Sequence, residues 1–113
     1  MKLIDKTITL DELQQMSQRV FGGLVKGVVD IEKEIMVVDA AMHADEEQML
    51  LEHGSKQEDL WGINFYPELE GDDFLEFDSM INIRPRQNNF SRNVESEEIR
   101  NIIKKIVAKL IKE

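Results

Sequence analysis

Leu24-Val25-Lys26-Gly27-Val28-Val29-Asp30-Ile31-Glu32-Lys33-Glu34-Ile35-Met36-Val37-Val38-Asp39-Ala40 is two β-branched runs around a charged tripeptide. Residues of that kind suit a pleated, half-buried surface, so residues 24–31 and 35–40 read as an antiparallel hairpin. Val25, Gly27, Val29 and Ile31 share one face of its first strand. Lys26 and Asp30 lie on the other, but Leu24 and Val28 make that face only half polar, so cover on both sides is open. The turn Glu32-Lys33-Glu34 has none of the Asn-Gly chemistry of the tightest hairpins, and it does not fix the register.

Working outward, a second hairpin follows. Residues 59–66 alternate Trp61, Ile63 and Phe65 against Leu60, Gly62, Asn64 and Tyr66, and Pro67 closes the strand. Residues 68–73 form an acidic turn. Residues 74–84 alternate again, and Trp61, Ile63, Phe65, Phe77 and Ile81 are the expected core face, with helices needed on one side only. Between the hairpins, Asp45 and Gln48 have capping spacing ahead of Met49, Leu50 and Leu51, which predicts a short helix ending near His53-Gly54. Upstream, Thr9 and Glu12 have the same spacing. Leu10, Leu13, Met16, Val20 and Phe21 predict a first helix over residues 10–21, ended by Gly22-Gly23. Downstream, Ser96 caps a last helix with Glu97 and Glu98 in its first turn. Its apolar stripe is Ile99, Ile102, Ile103, Ile106, Val107, Leu110 and Ile111, and Lys104, Lys105, Lys109 and Lys112 make a solvated face. The expected fold is one α+β domain over residues 1–113. Its order is α-β-β-α-β-β-α, with a four-stranded antiparallel sheet, a candidate fifth strand at Leu3-Ile4, and the first and last helices on one face.

The totals narrow the function. A chain of 113 residues with 42% hydrophobic and 33% charged residues is of ordinary globular composition. It has no apolar run of membrane-spanning length and no signal-peptide pattern, so a cytoplasmic protein is expected. The absence of cysteine excludes thiolate metal sites and thiol nucleophiles. A net charge of −9 argues against general nucleic-acid binding. Residues 1–38 carry 5 basic and 6 acidic groups, residues 39–78 carry 1 and 13, and residues 79–113 carry 8 and 4. That is −1, −12 and +4, a polarity suited to neutralisation within the fold, in a homodimer or other homo-oligomer, or by a charged partner.

Three places could carry function. Arg84, Arg86, Asn88, Asn89, Ser91 and Arg92 crowd one loop after Pro85, and guanidinium forks beside a helix start suit a phosphate or carboxylate. The structural reading of the same residues is that Asn and Ser hold turns and Arg84 pairs on the sheet. Asp39, His43, Asp45 and Glu46, with Glu58 and Asp59 from the next strand, are types that bind a divalent cation such as manganese or magnesium. Opposite the arginines such an ion could promote phosphoester chemistry. Against it, Asp45 is a helix cap, and the 13 acids of residues 39–78 make clustering near a histidine unremarkable. Trp61-Gly62 offers a stacking surface and a close approach, or simply the largest core residue beside a gap for a helix.

The stretches Val28-Val29-Asp30-Ile31-Glu32, His43-Ala44-Asp45, residues 51–62 with Gln57-Glu58-Asp59-Leu60-Trp61-Gly62, and Ile81-Asn82-Ile83-Arg84-Pro85-Arg86-Gln87-Asn88-Asn89 carry a likeness over nearly the whole chain. It resembles a family of short bacterial, cyanobacterial and archaeal proteins, domain-of-unknown-function family 5674. The resemblance implies no activity, cofactor or catalytic residue. Where it implies an arginine before Ser91, this chain has Phe90. Two functions are expected in competition. One is binding of an anionic small molecule at residues 84–92, with catalysis unassigned. The other is a non-catalytic acidic protein-interaction module, a homodimer, that docks a partner on its acidic middle or an exposed strand edge.

Overall fold

The computed structural model describes residues 1–20 and 22–113. The expected hairpin forms from β3 (Val25–Asp30) and β4 (Ile35–Val38). Asp30 supplies the turn chemistry that the tripeptide lacks. Its Oδ1 accepts from the backbone N–H groups of Glu32 and Lys33, both at 2.9 Å, while Glu34 takes a left-handed φ of 57°. β5 (Leu60–Phe65) pairs antiparallel along the whole of β3, from Val25 opposite Phe65 to Asp30 opposite Leu60. Among the described residues the sheet has five antiparallel strands in the order β1-β4-β3-β5-β6, with β1 (Lys2–Ile4) the fifth strand on one edge and β6 (Leu75–Glu76) on the other.

Alternation then divides the sheet into two faces. Val25, Val29, Met36, Val38, Trp61, Ile63 and Phe65 face the larger core, with Leu13 and Met16 of α1 (Leu10–Gln18) and Ile103, Ile106, Val107 and Leu110 of α3 (Glu97–Leu110). Val28, Val37 and Leu60 face a smaller core with Leu50 of α2 (His43–Glu52). The first and last helices therefore share a face, as expected, but the other face is covered too. The half-apolar second face of β3 was the signal.

Caps explain where the helices begin. Thr9 Oγ1 accepts from Glu12 N at 3.1 Å, and Ser96 Oγ accepts from Ile99 N at 3.2 Å. α2 departs from expectation: it starts at His43 behind an uncapped Met42, and Asp45 lies in its first turn. The predicted extension of α1 to Phe21 ends on a residue outside those described. α3 stops at Leu110, and Ile111–Lys112 form β7, a short parallel pair with β2 (Ile8–Thr9).

The largest departure is the predicted strand over residues 74–84. Only Leu75–Glu76 forms β6. Ser79 then caps a 3₁₀ turn at Met80–Asn82, its hydroxyl accepting from Ile81 N, and the chain leaves the ladder. Ile81 consequently packs on the smaller core, not with Trp61. Gly62 leaves room for this crossing rather than for a helix, since a Cβ there would sit 2.5 Å from Ser79 Cβ. Among the described residues no helix is long and apolar enough to cross a membrane.

Candidate functional site

The outer edge of β5 is closed by three different kinds of group at alternate residues. Asn64 pairs with Glu76 of β6 through the backbone ladder. Two residues back, the side-chain amide of Asn82 takes over: its Oδ1 accepts from Gly62 N at 2.8 Å and its Nδ2 donates to Gly62 O at 3.0 Å. Two residues further, the Arg84 guanidinium donates to Leu60 O and Gln57 O, and to Gln87 Oε1 at 3.0 Å. Its carbon lies 4.2 Å from the centre of the Trp61 ring, a cation–π stack. Burial pulls the Arg84 pKa below its usual value, and the nearby Glu47 carboxylate opposes that shift. The edge amides and carbonyls are thus satisfied without a strand.

Asn89 holds the rest of the loop. Its Nδ2 protons are shared among the carbonyls of Asn82, Ser91 and Asn93 at 2.7, 3.1 and 2.7 Å, and its Oδ1 accepts from Glu95 N at 2.9 Å. Glu95 in turn accepts from Ser91 Oγ and Phe90 N, both at 2.8 Å, and these bonds hold its carboxyl below the ordinary value. Arg92 pairs with Asp78. Of the six residues expected to bind an anion, Arg84, Asn89, Ser91 and Arg92 are therefore bonded to the chain itself. Arg86 and Asn88 face solvent, Asn88 with the left-handed φ of 59° that closes its turn.

The same turns push apolar groups outward. Asn82 and Asn89 are 0% and 3% exposed, while Met80, Ile83 and Phe90 are 65%, 40% and 64% exposed. Met80 opens the 3₁₀ turn and Ile83 follows it in extended conformation, and the bridge between Arg84 and Asn89 sets Ile83 and Phe90 next to each other on its outer side. The result is an apolar crest on a polar frame. Phe90, an aromatic in a run of polar residues, was its sequence signal.

The expected metal set is not gathered into one place. His43 Nε2 donates to Ile63 O at 2.8 Å, and burial is the main cause that lowers its pKa. Glu46 is fully buried, and its Oε2 accepts from Ala40 N at 3.1 Å, while nothing donates to Oε1. Burial pushes Glu46 up to about 9, with Asp39 adding to the shift and Ala40 N–H and Lys26 opposing it. Asp39 pairs with Arg19, Asp45 lies in the first turn of α2, and Glu58 and Asp59 belong to the 3₁₀ turn that precedes β5. Among the described residues no three His, Asp or Glu side chains could hold one ion together.

A concavity of about 1100 Å³ lies at the other end of β5. The acidic turn forms one wall with Glu68, Leu69, Glu70 and Asp72; α3 forms the other with Arg100, Lys104 and Val107; Phe74, Leu75 and Phe77 are a half-exposed apolar floor. Gln14 of α1 holds the turn in place by donating to Pro67 O at 3.3 Å, and Phe74 is tilted against Phe65 with centroids 5.8 Å apart. Arg100 is engaged with the carbonyls of Val94 and Glu95. Glu68, Glu70, Asp72 and Glu113 form no ion pair among the described residues, and neither do Arg100 and Lys104, so four acidic groups outnumber two basic ones around the cleft. The acidic turn was legible in the sequence; its placement against α3 was not.

No curated protein and no solved structure matches this chain. A family model described as "Protein of unknown function (DUF5674)" matches residues 2–110, and the chain belongs to that family.

Proposed function

We propose that this chain is a protein-interaction module, and that its cleft takes a basic amphipathic segment of a partner. One observation carries the reading: the cleft joins a half-exposed apolar floor to carboxylates that the chain itself does not pair. An apolar stripe on a partner helix or strand would cover Phe74, Leu75 and Phe77, and its lysines or arginines would meet Glu68, Glu70 and Asp72. The inward bonding of residues 84–92 also favours this reading over an anion site in that loop, where only Arg86 and Asn88 remain outward. The lack of cysteine supports a reducing compartment such as the cytoplasm.

The probe is a fluorescein-labelled amphipathic lysine–leucine peptide, read by polarisation beside its glutamate–leucine counterpart. The lysine peptide is expected to bind and the glutamate peptide not to. Reversing Glu68 and Glu70 to lysine is expected to cut affinity by about tenfold, roughly 1.4 kcal/mol. Reversing Asp5 and Glu52, exposed residues outside the cleft, changes the net charge equally and serves as control. Equal loss in both variants would mean that only overall charge attracts the peptide. Melting curves with phosphates and carboxylates test the rival reading, in which a shift abolished by Arg86→Ala would place an anion at the loop.

A further inference from the structure

We infer that the occupant of the cleft is the crest of a second copy of this chain, which rests on the cleft being a protein-docking site. The two surfaces are complementary in both respects that matter. The crest is Met80, Ile83 and Phe90, exposed and apolar, beside the outward Arg86, while Arg84 is stacked on Trp61 and Arg92 is paired with Asp78. Arg86 makes no ion pair among the described residues. The cleft offers Phe74 and Phe77 under unpaired Glu68, Glu70 and Asp72.

They do not meet within one molecule: Met80, Ile83 and Phe90 stay exposed, and the loop that carries Ile83 and Phe90 is fixed at the Leu60 end of β5 by Arg84 and by Gln87 donating to Glu58 O. Crest against crest would bring Arg86 near its own copy, so that pairing is disfavoured. Crest in cleft closes as a two-fold dimer where the two contacts are reciprocal, and otherwise runs head to tail into a ring or an open chain according to the rotation between neighbours. In that arrangement Arg86 of one copy meets Glu68, Glu70 and Asp72 of the next.

Sedimentation velocity over a concentration series tests this. The wild type is expected to grow beyond a monomer toward millimolar concentration. The association is expected to weaken roughly tenfold when salt rises from about 0.1 M to about 1 M and the screening length falls from about 10 Å to about 3 Å. Phe90→Glu removes the crest and Glu68→Lys with Glu70→Lys removes the cleft. Each variant alone is expected to stay monomeric, while their equimolar mixture forms a one-to-one dimer and nothing larger. Met80→Glu is a second crest variant, also at a solvent-facing side chain. A wild type that stays monomeric, variants that associate like the wild type, or a mixture that does not pair would each overturn the inference. If the lysine–leucine peptide still binds a monomeric wild type, only the self-docking fails. If neither the peptide nor a second copy binds, the interaction reading fails with it.

Discussion

Gly62 shows how a single missing side chain shapes this molecule. A Cβ there would meet Ser79 Cβ at 2.5 Å, Ser79 Oγ at 2.6 Å and Ile81 Cγ1 at 3.1 Å, the groups that cross over β5 after the ladder ends. Overpacking a tight site generally costs about 1–3 kcal/mol. Gly62→Ala is therefore expected to lower the unfolding free energy by that amount, seen as a lower urea midpoint at an unchanged slope in an equilibrium unfolding series followed by circular dichroism. The glycine and the asparagines were visible in the sequence as unusual. Their roles were not, because a side-chain amide pairs equally well with a ligand or with backbone, and only the three-dimensional path decides which is nearer. Asn82 and Asn89 went to the backbone, and Phe90, noted only as an absent arginine, turned out to be one of the three outward apolar residues.

Among the elements, those with strong periodicity were legible. The stripe of α3, the β-branched runs of β3 and β4, and the alternation of β5 each left one geometry that buries the apolar side chains. Residues 74–84 misled because Met80, Ile81, Asn82 and Ile83 satisfy a period of two and a period of three alike. Capping by Ser79 selects the second. The pairing of β2 with β7 joins residues over a hundred positions apart in sequence and had no local signal. The β3–β4 turn depends on one buried carboxylate. Asp30, 1% exposed, accepts from Glu32 N, Lys33 N and, at 2.6 Å, Ser55 Oγ. Asp30→Ala strands these donors, each costing about 1–3 kcal/mol where buried. A loss of about 3 kcal/mol in the unfolding free energy is expected, with early exchange of the amides of Glu32 and Lys33 in hydrogen-exchange spectra.

At the scale of the whole molecule, pH acts through a carboxyl that remains neutral when folded. Glu46 titrates near 9 in the fold against 4.5 in the free side chain, so between these values the unfolded chain releases a proton that the folded chain keeps. Stability contributed by this group is complete below about pH 4.5 and falls as pH rises toward 9, by at most about 1.4 kcal/mol per pH unit. Glu46→Gln keeps the shape without the proton, and its melting temperature is expected to exceed that of the wild type at pH 8 to 9 and to converge with it near pH 4.5. Melting curves across that range that run parallel for the two proteins would exclude a neutral Glu46. The closure of β5 by an amide and a guanidinium has a consequence for this protein's descendants. A backbone ladder survives almost any substitution, because it is written in no particular codon, but here one base change at Asn82 uncovers Gly62, and one at Arg84 uncovers Leu60 O, while β6 still covers Asn64. Lineages that lose either residue inherit a gap in the cover of that edge, and with it a foothold for cross-β pairing.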